Sequence, residues 1–254
     1  MKRFFLIALT ALLGTGISYS QLLDEQNVTI VMDLQPVLQL HMTTPDYIEF
    51  TFDDIKDYMA GITKYGATIL KVSSSVNWDL YAVGTSTNAP YWDQQIVYST
   101  GGGGNAVDNL PLSCLELHQY PANSYDGSAA LISDYSGSFQ LVNTAPGVLG
   151  RNTIFVSTTP YTPPTQDDKY IQGHAGAAPT DGAPAGSYLT VGGSEPSDFY
   201  FVIDYRIVPG LPPVFPFAAI QVGGNYQSES LLPGEYARPG IYTMNVKYVL
   251  IEDQ

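Results

Sequence analysis

Apolar and polar residues alternate with a period of two along most of this chain, the spacing that sends successive side chains to opposite faces of a β-strand. Val28, Ile30, Met32 and Leu34 fall on one side of the first such run, and "VLQLHM" follows after Pro36. "DYIEFTF" sets Ile48, Phe50 and Phe52 inward. "ATILKVSSS" and "VNWDLYAV" read as consecutive strands around a serine-rich turn, with Trp78, Leu80 and Ala82 on one face of the second. "QQIVYS", "LSCLELH", "SGSFQLV" and "NTIFVSTT" continue the pattern. The longest runs are Ser197–Val208 and Gly240–Ile251. Helical spacing occurs once, over Phe52–Ile62, with Asp53 as the expected N-cap and Gly61 as the stop.

Long loops separate these runs. Ser99–Pro111 contains four successive glycines, Thr158–Ser187 is rich in Pro, Gly, Ala and Thr, and Val208–Ala219 carries four prolines. Proline cannot donate to a strand ladder, so the last stretch reads as edge or surface crossover. Many short strands with turn signals predict an all-β fold: an antiparallel β-sandwich, Ig-like or jelly-roll, with Gly/Pro-rich insertions and at most one short helix. Residues 158–187 read as an insertion within one domain, or as a boundary between two. Trp78, Leu80, Phe201, Ile203, Ile241 and Val246 are the expected core positions.

The beginning of the chain has a different pattern. Lys2 and Arg3 precede an apolar run, Phe4–Leu13, and Ser18-Tyr19-Ser20 supplies small residues at cleavage positions. This is the layout of a secretory signal peptide over 1–20, followed by a single domain over 21–254. The apolar run is shorter than the roughly 20 residues that cross a bilayer, so no transmembrane segment is expected. The net charge is −14, and removing residues 1–20 takes away two cations and no acid, giving −16. Such a balance argues against nucleic acid and anionic lipid as partners. Hydrophobic residues make up 44% of the chain, enough for a core without disulfides, which the single Cys114 could not supply.

Catalytic patterns are missing. No Gly-x-Ser-x-Gly occurs, and His41, His118 and His174 lie in no metal-ligand spacing. Cys114 and His118 are four apart, about 13 Å along a strand and too far for a nucleophile–base pair. Asp46, Glu49, Asp53, Asp54 and Asp57 crowd one stretch, Asp167-Asp168 form a pair, and Glu195 and Asp198 another. Carboxylates of this kind could ligate calcium or serve glycoside hydrolysis, but no calcium-loop motif is present and no cofactor is expected. The loop aromatics Tyr91, Trp92 and Tyr161 are the candidate ligand residues, suited to stacking on a sugar. Val28, Ile30, Met32 and Leu34 are the candidate strand-exchange segment, because a strand at an edge invites pairing with another chain.

"LLPGEYARPGIYTMNVKYVL" resembles the end of bacterial pilin-like and spore-coat-like β-sandwich subunits, which close on a Gly-x-Tyr turn and an alternating strand. "LKVSSSVNWDLYAVGTS" is similar to a strand pair of WxL-type cell-surface domains, Trp78-Asp79-Leu80 matching their tripeptide; the second Trp-x-Leu usual in those domains is absent. These resemblances imply an exported, non-enzymatic surface subunit, structural or adhesive. It would assemble with its own copies as a homo-oligomer or filament, or with an envelope protein partner, by strand donation. The alternatives are a carbohydrate-binding module that takes a glycan, and a glycan-active hydrolase.

Overall fold

A computed structural model of the chain describes residues 26, 28–99, 106–107, 109–125, 134–139, 152–164, 169–174, 182–189, 196–207, 218–222, 225–229 and 236–253. Contacts divide the chain into Met1–Gln35 and Pro36–Gln254. The expected signal peptide lies outside the described residues.

The larger unit is all-β. In chain order its strands are β1 (Leu38–Met42), β2 (Thr63–Ser74), β3 (Trp78–Thr85), β4 (Asp93–Val97), β5 (Ala106–Val107), β6 (Leu115–Tyr120), β7 (Gly186–Ser187), β8 (Tyr200–Ile207), β9 (Ala218–Val222), β10 (Asn225–Glu229), β11 (Tyr236–Ala237), β12 (Gly240–Thr243) and β13 (Asn245–Glu252). One sheet runs β1-β2-β8-β6, with β7 also on β2, and all its pairings are antiparallel. Among the described residues four two-stranded ribbons join β3 with β13, β4 with β12, β9 with β10, and β5 with β11; of these four the last is parallel. Gly223-Gly224 separates β9 from β10 in the sequence, a two-residue hairpin signal that alternation alone does not report.

The apolar faces of the large sheet and the β3–β13 ribbon meet in one core. Leu70 and Val72 of β2, Trp78, Leu80 and Ala82 of β3, Leu115 and Leu117 of β6, and Phe201, Ile203 and Tyr205 of β8 are all buried there. Val246, Tyr248 and Leu250 of β13 pack against them. The alternation of β3 does not leave its second face wet: Tyr81 and Val83 are buried with Tyr170 and Val249. Aromatic packing fixes the centre, where the Trp78 ring lies 6.3 Å from Phe201 in a T-shaped contact and its indole N–H donates to the Pro184 carbonyl at 3.0 Å.

Several expectations need correction. Val28–Leu34 forms no strand and has no ladder partner among the described residues. Residues 46–52 keep their alternation, with Ile48, Phe50 and Phe52 packed on the core, yet they form no ladder either among the described residues. The helix is α1 (Ile55–Ala60), one turn and a half, capped by Asp54 rather than Asp53 and ended by Gly61 at φ 70°. Cys114 sits in a 3-10 turn (Leu112–Cys114) instead of a strand, and it is buried. The final run is two strands. It breaks at Met244, pairing first with β4 and then with β3, so Ile241 of the two-stranded β4–β12 ribbon is exposed rather than core.

The described parts of 158–187 include residues bonded to β3. Trp78 N donates to Ala183 O and Leu80 N to Gln172 O, both at 2.9 Å. Tyr170, Ile171 and Ala183 are buried. Residues 171–172 and 183 therefore bond the edge of β3 opposite β13 at Leu80 and Trp78, while Phe155 and Ser157 bond Gly84 further along.

Candidate functional site

Three places bring chemistry-bearing side chains together. The first is the turn 86–93 between β3 and β4. Its shape comes from Asp93, whose carboxylate accepts from Thr87 N at 2.9 Å, Thr87 Oγ1 at 2.7 Å and Asn88 N at 2.9 Å. These bonds favour the ionised form and hold the Asp93 carboxyl below the usual range, the Thr87 amide contributing most. Trp92 precedes it, half-buried, with its indole N–H donated to Pro111 O at 3.1 Å. A shallow groove of about 350 Å³ opens here, lined by Trp92, Asp93, Asn88, Gln94, Gln95 and Asn109 among others. Gln94 and Gln95 donate their side-chain amides to the hydroxyls of Tyr242 and Thr243 on β12. An indole flanked by neutral amides suits a neutral polar ligand. It does not suit acid catalysis, because the Asp93 carboxylate already accepts three hydrogen bonds.

The three candidate ligand aromatics do not form one cluster. Tyr91 is held by its backbone, bridging Pro111 and donating N–H to Asn88 O. Tyr161 is exposed, with the Lys247 ammonium 5.3 Å from its ring centre. Trp92 alone of the three lines the groove.

The second place is a polar seam between β6 and β8. Glu116 and Arg206 stand opposite each other in register and are both buried. Burial pushes the Glu116 carboxyl up, against the lowering pull of Arg206 and Lys169. Two residues along, His118 Nδ1 lies 3.0 Å from Asp204 Oδ2, and Asp204 Oδ1 accepts the Gly66 amide at 2.6 Å. Phe139 covers both pairs, its ring 4.6 Å from the Arg206 guanidinium carbon and 5.8 Å from the His118 ring. A His–Asp pair is half of a nucleophile-activating device, but no nucleophile is bonded to His118 among the described residues, and the pair ties β6 and β8 to Gly66, where the register of β2 on β8 shifts. This seam has a sequence signal, Glu116-x-His118 facing Asp204-x-Arg206, readable only once the strands are known to be neighbours.

The remaining candidates disperse. His41 is exposed on β1, and His174 stacks on Tyr170 with ring centres 4.2 Å apart. Asp54 and Asp57 form a capping box on α1, which accounts for two members of the acidic run. Asp167, Asp168 and Glu195 lie outside the described residues. Among the described residues no group of three or more His, Cys, Asp or Glu side chains could hold a metal ion, and no helix is long and apolar enough to cross a membrane.

The third place is the strand-exchange segment itself. Val28, Ile30, Met32 and Leu34 are 85, 86, 76 and 81% exposed. Val31 on the opposite side is exposed as well. The run exposes apolar side chains on a backbone that has no ladder partner among the described residues. In comparisons with known proteins, no family model and no curated sequence matches the chain.

Proposed function

We propose that the chain is an exported, non-enzymatic bacterial surface subunit, structural or adhesive, that associates by adding a β-strand to a neighbour. One observation carries the reading: Val28, Ile30, Met32 and Leu34 recur with the period of a strand, yet they are exposed and the segment has no ladder partner among the described residues. In water such a run gains about 25 cal/mol for each Å² of apolar area it buries, so a partner groove or sheet edge stabilises it. Export rests on the Lys2-Arg3 and Phe4–Leu13 pattern, and the core shared by the large sheet and the β3–β13 ribbon supports a β-sandwich. The experiment is sedimentation of the exported chain against an Ile30→Asp, Met32→Asp variant. These side chains contribute nothing to the described core, so the variant should keep the wild-type melting temperature and lose association. A wild-type chain that stays monomeric at high concentration, in solution and on cells, sinks the proposal.

The Trp92 groove favours a second reading, a carbohydrate-binding module. Gln95→Ala with Asn109→Ala should then abolish retention on a glycan column without changing the melting temperature. Unchanged retention, or none by the wild type across a broad glycan panel, removes it.

A further inference from the structure

Strand addition needs an acceptor, and among the described residues β1 offers outer-edge backbone groups without a hydrogen-bond partner, although β13 runs close to it. Val37 O accepts from Ser75 N at 2.8 Å and Thr43 N donates to Ile69 O at 3.1 Å. With Leu38 opposite Ser74 and Met42 opposite Leu70, the odd-numbered residues 37 to 43 spend their backbone groups on β2. The N–H and C=O groups of Leu38, Leu40 and Met42 therefore point to the outer edge, where no backbone hydrogen bond reaches them among the described residues. Natural sheets blunt such edges with lysine, proline or a bulge. The sequence of β1, Leu-Gln-Leu-His-Met, has none of the three, and its register on β2 is unbroken. At the other edge of the sheet, β6 is already covered: Leu117 N donates to Asn152 O and Ile154 N to Leu115 O.

We infer that Val28–Leu34 of one copy pairs antiparallel with β1 of a second copy, and that the pairing is reciprocal, making a closed two-fold dimer. This rests on the strand-addition reading above. The faces agree: Leu38 and Leu40 pack on the core while Gln39 and His41 are exposed. Opposed residues in a ladder share a face, so the register must place either Val28, Ile30 and Met32 or Ile30, Met32 and Leu34 opposite Met42, Leu40 and Leu38. Two registers do this, setting Val31 opposite Gln39 or opposite His41. A hairpin within one copy is disfavoured by Gln35-Pro36: proline cannot take the positive φ of a two-residue hairpin loop, and the residue before it is biased to extended backbone. In the proposed dimer residues 28–42 of each copy would form one extended run, with Gln35 biased to extended backbone and Pro36 giving up one ladder donor. Only residues 35–37 separate donor from acceptor, so when one copy's donor lies along its partner's β1, its own β1 lies along the partner's donor. The symmetry closes and no end is left to grow.

The test is disulfide trapping between copies of the full exported chain. In the expected ladder Val31 and its partner form a non-hydrogen-bonded pair with Cα atoms about 4.5 Å apart, within disulfide reach. A Val31→Cys chain is mixed under mild oxidation with a Gln39→Cys, a His41→Cys or a Leu40→Cys chain. The expected result is a dimer linking Val31→Cys to Gln39→Cys or His41→Cys, at least tenfold over Leu40→Cys, and a wild-type species that stops at two copies in sedimentation. Equal trapping at Leu40→Cys, or none at either surface position, overturns the β1 acceptor. Polymers that lengthen with concentration overturn the closed symmetry. If trapping fails while Ile30→Asp, Met32→Asp still abolishes association, strand addition stands and only the acceptor is wrong. No association by wild type ends both.

Discussion

Arg206 Nε donates to Glu116 Oε2 at 2.7 Å across directly opposed positions of neighbouring strands, both side chains shielded from water. Desolvation of two charges consumes most of what their attraction returns, so the pair is weak evidence for stability as a whole. Breaking it is another matter. Arg206→Met leaves a buried carboxylate beside an apolar chain and should cost about 3–5 kcal/mol, whereas Glu116→Leu with Arg206→Met should recover most of that loss. Equilibrium urea unfolding of the two variants checks this. A double variant as unstable as the single one would mean that the seam works as an indivisible network with Lys169 and Phe139.

Trp78 has no exposed surface, touches Phe199 and Phe201, and ties its N–H to Pro184. Trp78→Ala should cost about 3–5 kcal/mol, from lost transfer energy and the cavity left between the large sheet and the β3–β13 ribbon. Trp78→Phe keeps most of the volume and loses the bond to Pro184, so it should cost less. Chemical denaturation measures both, and a loss under about 1 kcal/mol for Trp78→Ala would contradict the burial of the ring.

Gly173 has φ +87°, and a Cβ there would lie 2.1 Å from Asp79 Oδ1 and 3.0 Å from Trp78 O. The close approach lets Asp79 Oδ1 accept the His174 amide at 3.0 Å, pinning the 169–174 segment on β3. Gly173→Ala should therefore cost about 2 kcal/mol or more from backbone strain alone and detach this segment. Rapid proteolytic nicking between residues 160 and 182 is the expected readout. Wild-type resistance in the variant would show that the segment is not held through Gly173.

These positions mark how far the sequence could be read. Alternation located β2, β3 and β8 and put Trp78, Leu80 and Ala82 on the core face, because a period of two reports which side a residue faces. It does not report what pairs with the backbone. Residues 46–52 alternate as cleanly as any strand and have no ladder among the described residues, and Val28–Leu34 alternates while its apolar side chains stay exposed. The hold of 169–174 on β3 was hidden in a Pro/Gly-rich stretch, since its bonds run from Gly173, Asn123 and Asp79, which are distant in sequence and ordinary in composition. The Trp92 groove was half legible: the aromatic stood out, while Asn109 enters it only through the fold.

The Asp93 turn carries the pH prediction. Its carboxyl is held below the usual value by bonds from Thr87 and Asn88. A carboxyl depressed in the folded state stabilises that state above its unfolded value, about 3.9, and the contribution is lost as pH falls from there through the lower folded value. At neutral pH the ion holds the amides of Thr87 and Asn88, and amide exchange at both should be slow. Asp93→Ala should speed exchange at these two amides several-fold at about pH 6 and leave those of β8 unchanged, because the turn opens locally and the sheet does not. In acid the wild type should converge on the variant, with convergence complete only well below the ordinary aspartate range. If ligand retention in the Trp92 groove depends on this turn, it should fall over the same acidic interval, whereas association through Val28–Leu34 should not follow it. Exchange rates insensitive to both Asp93→Ala and acid would show that the turn is held by the β4–β12 ribbon alone, and that Asp93 has no part in shaping the groove.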